Sequence, residues 1–171
     1  MPRRTSTGSA RSRRRRSESV LIARPAEDAF AYVSDGTNAP RWQRGLREVR
    51  RKTEGPIGVG SRYTVERDFM GRRLTLSNEL TLYEPGTLVA FDWTGTMPGQ
   101  ASYIVEPIGM DRTKLTSRVE LRPSGLLRLV EPVMTAGLTR DVKANLVTLK
   151  RLLERNLPTS DSDENERGTL P

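Results

Sequence analysis

The stretch RPAEDAFAYVSD at residues 24–35 decides how the fold begins. Pro25 stands where a helix can start, and Glu27 and Asp28 fall in its first turn, where negative charge is favourable beside the helix dipole. The apolar residues recur at spacings of four and three, which places them on one helix face: Ala26, Phe30 and Val33. The pattern therefore predicts an amphipathic helix that ends at Gly36.

Short elements flank this helix on both sides. Before it, Val20 and Ile22 alternate with their neighbours, which predicts a short strand. After it, a second short helix is expected to start around Asn38 to Pro40 and to carry Trp42. Two short helices thus follow the first strand directly.

Six further strands are predicted between Leu46 and Arg122, separated by turn residues such as Gly71 and the pair Pro85 and Gly86. Because side chains alternate between the two faces of a strand, one set is assigned to an inner face. This set includes Val49, Tyr63, Val65, Arg67, Phe69, Leu74, Leu76, Asn78, Leu80, Leu82, Val89, Phe91, Trp93, Ala101, Tyr103, Val105, Leu115, Ser117, Val119 and Leu121. Successive strands with short connections predict one antiparallel sheet.

The rest of the chain is predicted to be helical. Apolar residues recur every three or four positions from Leu126 to Leu153, which indicates one long amphipathic helix. Pro132 interrupts this pattern, and proline removes a helical hydrogen bond and clashes with the preceding turn. We therefore expect a short segment, Leu126 to Glu131, that is separable from the main helix.

The two ends of the chain differ from its middle in composition. Residues 1–17 carry seven arginines and no acidic residue within a net charge of +8, so they are predicted to form a disordered tail. Residues 158–171 are acidic and rich in serine and are predicted to form a second disordered tail. The folded domain is therefore expected at residues 18–157.

The arginine-rich tail allows a nucleic-acid interpretation, because a block of arginines can contact phosphates. Otherwise nucleic-acid binding is not expected, and a solvated tail is the simpler alternative. Twin-arginine export is not favoured, because the apolar stretch after the arginines extends only from Val20 to Ala23. No apolar run is long enough for a membrane span, and a cytoplasmic location is expected.

The chain contains no cysteine and no histidine. Disulfides, thiolate nucleophiles, imidazole bases and the usual zinc or haem ligands are therefore excluded. No metal and no cofactor are expected. Any catalysis has to use carboxylates, arginine, lysine, tyrosine, serine or groups of the substrate itself.

Three stretches resemble the START-type (SRPBCC) superfamily, which includes polyketide cyclase/dehydrase-like proteins. They are residues 24–35 leading to Pro40-Arg41-Trp42, Gly58-Val59-Gly60-Ser61-Arg62-Tyr63, and Leu82-Tyr83-Glu84-Pro85 before the strand of Phe91 and Trp93. The resemblance extends from residue 18 to about residue 156. It implies an α+β helix-grip fold, in which a curved antiparallel sheet of about seven strands wraps around a long C-terminal helix.

The same resemblance implies a hydrophobic cavity between sheet and helix. The strand phases and the helix stripe then give its expected ligand-binding residues: Trp42, Tyr63, Val65, Arg67, Leu74, Leu76, Asn78, Phe91, Trp93, Tyr103, Ser117, Val119, Met134 and Leu138. An ordinary packed core would explain most of them equally well. Arg67, Asn78 and Ser117 favour a cavity, because buried polar groups without partners cost about 1–3 kcal/mol each.

Two catalytic motifs were considered and set aside. Gly55, Gly58 and Gly60 precede a strand, whereas a phosphate loop precedes a helix N-terminus. The strand carboxylates all fall in the outward phase, so no paired-carboxylate mechanism is indicated: Glu66, Asp68, Glu79, Asp92, Glu106 and Glu120.

Two functions remain for the cavity. The first is the binding of a small hydrophobic or aromatic ligand such as a lipid, a polyketide or an isoprenoid-like molecule, by a monomer or homodimer. The second is an enzyme resembling polyketide cyclases or dehydratases, in which Arg67, Tyr63 or Tyr103 polarises a carbonyl or relays a proton.

Overall fold

The computed structural model describes residues 15–69, 71–95, 98–122 and 131–156, except for the side chains of Arg15, Phe69, residues 131–139 and Asn156. Strand β1 (Arg15–Ile22) leads into helix α1 (Ala26–Ser34) and a 3₁₀ helix (Gly36–Arg41). Six strands follow: β2 (Leu46–Arg51), β3 (Arg62–Phe69), β4 (Arg72–Glu84), β5 (Leu88–Thr94), β6 (Gly99–Pro107) and β7 (Thr113–Leu121). Helix α2 (Glu131–Asn156) completes the described chain.

The seven strands form one antiparallel sheet in the order β1-β7-β6-β5-β4-β3-β2. Strands β2 to β7 are sequential neighbours, and β1 pairs with β7. This is the helix-grip arrangement expected from the sequence. We call the face toward α2 the inner face, which carries Tyr63, Val65 and Arg67 of β3, and the opposite one the outer face.

Helix α2 is fastened to the sheet at its C-terminal half. Val142, Leu146, Leu149 and Leu153 are buried at spacings of four, three and four, as an amphipathic helix requires. Its last turn is also tied to the segment after β1, because Arg24 Nε donates to the Leu153 carbonyl and the Ala23 amide donates to Glu154. The inner face beyond this attachment is left open under the N-terminal part of α2.

Strand β1 starts earlier than the composition suggested. Arg15, Arg16 and Ser17 pair with Glu120, Val119 and Arg118 of β7, although they belong to the stretch predicted as a disordered tail. Pairing with a neighbouring strand satisfies their backbone groups, which composition does not reveal. Residues 1–14 and 157–171 lie outside the described residues, so the two tails stay predictions.

The expected inward position of Leu82 is wrong. The pairing between β4 and β5 shifts by one residue between Leu80 and Leu82, so a β-bulge reverses the alternation. Leu80 is fully buried, Leu82 is 40% exposed, and Tyr83 turns inward to contact Phe30 edge-to-face with ring centroids 5.4 Å apart.

One further expectation changes in part, and another is left open. The described part of α2 starts at Glu131, with Pro132 as its second residue, so whether this proline kinks or restarts the helix stays a prediction. The separate segment predicted at Leu126 to Glu131 falls almost entirely on residues outside the described ranges. Glu120 is on the outer face as expected, yet only 4% exposed, and Arg122 Nε lies 3.4 Å from its carboxylate.

Candidate functional site

A cavity of about 890 Å³ lies between the inner face, the 3₁₀ helix and α2. This volume falls within the range of small-molecule sites, about 300–1,000 Å³. Twelve of the fourteen predicted residues line it: Trp42, Tyr63, Val65, Arg67, Leu74, Leu76, Asn78, Phe91, Trp93, Tyr103, Ser117 and Val119. Met134 and Leu138 belong to α2, but their side chains lie outside the described residues.

Aromatic rings form much of the cavity wall. Trp42 and Tyr103 meet edge-to-face with centroids 5.5 Å apart, and Tyr63 and Phe91 do the same at 5.9 Å. Trp93 is only partly buried. The wall can therefore contact a flat apolar ligand with rings that are themselves held by their neighbours.

The position of the Trp93 indole requires a glycine on the neighbouring strand. Gly99 is its partner in the pairing of β5 with β6, and a Cβ atom at Gly99 would lie 2.4 Å from the indole ring and 2.6 Å from the Glu120 carbonyl. A side chain at this position would therefore push the indole toward the cavity.

Arg67 is the charged side chain of the inner face that β3 contributes to the cavity. Its Nε is buried and has no hydrogen-bond partner in the structure. Burial lowers the pKa of its guanidinium, and the negative charge of Asp141 on α2 partly opposes this shift. Arg67 makes no ion pair within 4.0 Å among the described residues, so its hydrogen-bonding capacity is available to a ligand.

Asn78 and Ser117 are the two neutral polar residues predicted for the cavity. Asn78 lies opposite Tyr63 on β3 and Trp93 on β5, and its Oδ1 is buried without a hydrogen-bond partner. Ser117 is buried opposite Tyr103 on β6. Asn78 is therefore flanked by aromatic side chains, where a polar group gains by meeting a ligand oxygen or a water, whereas Ser117 also lies opposite Glu18 of β1.

The two tyrosines differ in their hydrogen bonding. Tyr103 accepts a hydrogen bond of 3.0 Å from Gln43 Nε2, whereas the Tyr63 hydroxyl is buried without a partner of standard geometry. Burial raises the pKa of Tyr103 despite the bond from Gln43. Burial also raises the pKa of Tyr63, and the charge of Asp35 raises it further. Both hydroxyls are therefore neutral near pH 7 and can donate, but not act as bases.

Sequence reasoning missed the polar residues at the edge of the cavity. They come from the connection after α1, the segment before β2 and one helix: Asp35, Gln43, Arg44, Arg140, Asp141 and Asn145. Asn145 Oδ1 accepts a 2.9 Å hydrogen bond from the Arg44 amide, which joins α2 to the segment before β2. The helix stripe assigned the α2 residues to solvent, and the irregular segments have no periodicity to interpret.

Carboxylates therefore do reach the cavity, although not from the inner face of the strands. Asp35, Asp68 and Asp141 lie on its wall, and Asp68 reaches it from the end of β3 although the sequence placed it on the outer face. Asp35 is engaged as a helix cap, because it accepts from the Thr37 amide at 2.9 Å and from the Thr37 hydroxyl at 2.7 Å. Asp68 accepts a hydrogen bond of 2.6 Å from Arg47 Nε. Of these three carboxylates, Asp141 is the one whose charge acts on Arg67.

Metal sites and membrane spans can be assessed for the described residues. These residues contain no group of three or more carboxylates, histidines or cysteines arranged to hold a metal ion. Their helices include none with the length and apolar character needed to cross a membrane.

The curved sheet, the gripping helix and the cavity define a protein of the helix-grip class. Residues 13–154 match the family model described as polyketide cyclase / dehydrase and lipid transport. The chain therefore belongs to this family. None of the curated proteins compared with the chain matches it.

Solved structures with the same fold come from several organisms. The Zhui aromatase/cyclase from Streptomyces sp. R1128 is 16% identical, with a TM-score of 0.72 over 88% of this chain and 99% of that one. A START superfamily protein from Mycobacterium smegmatis is 16% identical, with a TM-score of 0.61 over 81% and 98%. A norcoclaurine synthase from Thalictrum is 17% identical, with a TM-score of 0.62 over 83% and 94%. At these identities the likeness establishes the fold alone.

Proposed function

We propose that this protein binds one small, mainly apolar or aromatic molecule in the cavity, and that Arg67 donates hydrogen bonds to an oxygen of that molecule. A lipid, a polyketide or an isoprenoid-like compound has the required character. The cytoplasmic location expected from the sequence is part of this proposal. The observation that carries it is the combination of a mainly apolar cavity of about 890 Å³ with an arginine whose buried Nε has no hydrogen-bond partner.

The free-energy cost of burying a polar atom of Arg67 without a hydrogen bond favours a bound ligand. A buried polar atom without a hydrogen bond costs about 1–3 kcal/mol, and more when the group is charged. A hydrogen bond to a charged group contributes about 1.5–3 kcal/mol. A ligand oxygen that accepts a hydrogen bond from Arg67 therefore removes the free-energy cost of leaving its buried Nε without a partner.

Binding can be tested with 1-anilinonaphthalene-8-sulfonate, an aromatic anion, by energy transfer from tryptophan. Both tryptophans of the chain, Trp42 and Trp93, line the cavity. We expect saturable binding of one probe per chain. Ala101→Phe, which places a ring in the cavity, should abolish it, whereas Ser77→Phe on the outer face of β4 should leave it unchanged.

Native mass spectrometry of the freshly purified protein complements this test. A co-purifying molecule that is lost in Ala101→Phe and kept in Ser77→Phe supports the proposal and gives the mass of the ligand. Probe binding that is equal in both variants contradicts it, because the probe then occupies another surface.

A second candidate function is catalysis of the polyketide cyclase type. The observation that favours it is Arg67 in the cavity with the carboxylate of Asp141 facing it, in a chain whose family includes cyclases and dehydrases. Arg67 could stabilise an enolate, and Asp141 could accept a proton from a ligand carbon. The tyrosines Tyr63 and Tyr103 could only donate.

The two functions make different predictions for Asp141→Asn. If the protein only carries its ligand, this variant keeps the affinity for an aromatic probe, and no cyclised product forms from a poly-β-ketone thioester. If it is a cyclase, the wild type converts the thioester to an aromatic product detectable by absorbance, and Asp141→Asn binds the probe but does not convert the thioester.

A further inference from the structure

Two of the polar side chains on the inner face, Arg67 and Asn78, lie at separate positions. Arg67 lies on β3, and Asn78 lies on β4 directly opposite Tyr63. Since Tyr63 and Arg67 are four residues apart on the same strand, Asn78 and Arg67 are separated by about 13 Å along the strand direction. Arg67 Nε and Asn78 Oδ1 are both buried without a hydrogen-bond partner.

The surface between these positions is apolar. Val65 lies between Tyr63 and Arg67 on the inner face of β3, and its partner Leu76 lies between Leu74 and Asn78 on β4. Trp93 on β5 flanks Asn78 on the other side. A ligand that reaches from one polar position to the other therefore crosses a hydrocarbon wall.

The two side chains recognise different oxygen groups. Arginine only donates and carries a positive charge, so it favours a carboxylate, an enolate or a strongly polarised carbonyl. An asparagine amide donates and accepts but is neutral, so among apolar neighbours it favours an uncharged hydroxyl or carbonyl. A ligand bound in the reverse orientation would leave its charged end at the amide and desolvated.

We propose that the ligand of this cavity is an elongated molecule with an acidic or enolic oxygen bound by Arg67, an uncharged hydroxyl or keto oxygen bound by Asn78, and an apolar body between them. This inference rests on the proposed function. The two backbone positions are about 13 Å apart along the strand direction, so the two oxygens lie at opposite ends of the apolar body. A body of two fused rings with an oxygen group at each end suits such a site.

The test uses three matched probes at pH 7: 6-hydroxy-2-naphthoic acid, 2-naphthoic acid and 2-naphthol. Affinities are measured by titration calorimetry for the wild type, Asn78→Leu, Arg67→Met and Ser77→Ala. Ser77 precedes Asn78 on β4 and is exposed on the outer face, so Ser77→Ala is the matched control. Asn78→Ala replaces Asn78→Leu if the larger side chain prevents folding.

The wild type should bind the hydroxy acid about five- to tenfold more tightly than 2-naphthoic acid, the effect of one neutral hydrogen bond in a buried site. In Asn78→Leu the two acids should bind equally, and in Ser77→Ala the preference should be unchanged. Arg67→Met should weaken both acids by about tenfold or more and leave 2-naphthol nearly unaffected.

The outcomes separate the inference from the proposed function. If the acids bind but the hydroxyl adds no affinity in the wild type, or adds the same affinity in Asn78→Leu, the second polar position is wrong while ligand binding stands. If none of the three probes binds the wild type, the proposed function fails, and this inference fails with it.

Discussion

The two faces of the sheet differ in how their polar side chains are hydrogen-bonded. On the outer face, several charged groups are paired across neighbouring strands, such as Arg62 with Glu79 and Lys114 with Glu106. On the inner face, Arg67, Asn78 and Tyr63 have buried polar atoms without hydrogen-bond partners. A polar group that is paired within the protein contributes to the fold, whereas one left without a partner in an apolar cavity is available for a ligand.

Asp92 shows how complete the pairing on the outer face is. Its Oδ1 accepts hydrogen bonds from Thr81 at 2.9 Å and from Gln100 at 2.6 Å, and its Oδ2 lies 3.3 Å from Arg122 NH1. Arg122, which directly follows β7, in turn reaches Glu120 on that strand. The network joins four strands, and each of its polar side chains has a partner within it.

The largest expected effect is on the free energy of unfolding, and it tests which side chains of β4 point inward. Leu80→Ala should lower the free energy of unfolding by about 2–5 kcal/mol, because it removes a fully buried side chain. Leu82→Ala should change it by less than about 0.5 kcal/mol, because the bulge exposes this side chain. Urea unfolding of both variants measures the difference. Equal losses would contradict the bulge.

This bulge also shows what the sequence could reveal about the fold. Strict alternation placed Tyr63, Val65, Trp93 and Tyr103 correctly on the inner face, because a regular strand has a fixed period of two. It failed at Leu82, because one extra residue on β4 shifts the phase without any change in composition. The strand order could also be predicted, because short turns join strands that are neighbours in the sequence.

The second effect concerns the space for Trp93. Gly99→Ala should destabilise the protein by about 1–3 kcal/mol, because the new Cβ would overlap both the indole and the Glu120 backbone. It should also reduce the affinity for an aromatic probe. Gly58→Ala is the control, since nothing lies within 4 Å of its Cβ position. Urea unfolding followed by tryptophan emission reports both stability and the indole environment. An unperturbed Gly99→Ala would contradict the packing.

The third effect compares one paired residue with one unpaired residue. Asp92→Ala should cost about 1 kcal/mol of unfolding free energy, since the network loses three partners at a partly exposed site, and should leave probe affinity unchanged. Asn78→Leu should leave stability unchanged or raise it by up to about 1 kcal/mol, because it removes an unsatisfied buried amide. Calorimetric melting distinguishes the two. A larger stability loss in Asn78→Leu than in Asp92→Ala would reverse the assignment of the two faces.

The site was partly predictable for a related reason. Its strand residues follow from the alternation of side chains, and Arg67, Asn78 and Ser117 stood out as polar residues within an apolar set. The residues at the edge of the site could not be predicted, because Asp35, Gln43 and Arg44 lie in short or irregular segments. Asp141 and Asn145 lie beside the buried stripe of α2 and not in it, and only the placement of the helix brings them to the cavity.

The smallest effect concerns the attachment of α2. Burial raises the pKa of Glu154, but hydrogen bonds from Lys150 and the Ala23 amide outweigh it, so the net pKa is lowered. A lowered pKa in the folded state contributes stability above the unfolded value of about 4.3, and this contribution is lost as pH falls through the folded value. The stability difference between wild type and Glu154→Gln should therefore be present at pH 7 and vanish in acid.

This difference should also shrink in high salt, since the pair of Lys150 and Glu154 is partly exposed. Urea unfolding at several pH values measures it. A difference that grows as the pH is lowered would contradict the assigned direction of the shift.

The central claim is that the inner face is a ligand site, and the two tryptophans give the most direct test. Titration of ¹⁵N-labelled protein with 6-hydroxy-2-naphthoic acid should shift the indole signals of both Trp42 and Trp93 saturably, with one equivalent bound, and leave the amides of Asp92 and Gln100 on the outer face unchanged. Shifts confined to the outer face, or indole signals that do not respond at saturating probe, would contradict the claim.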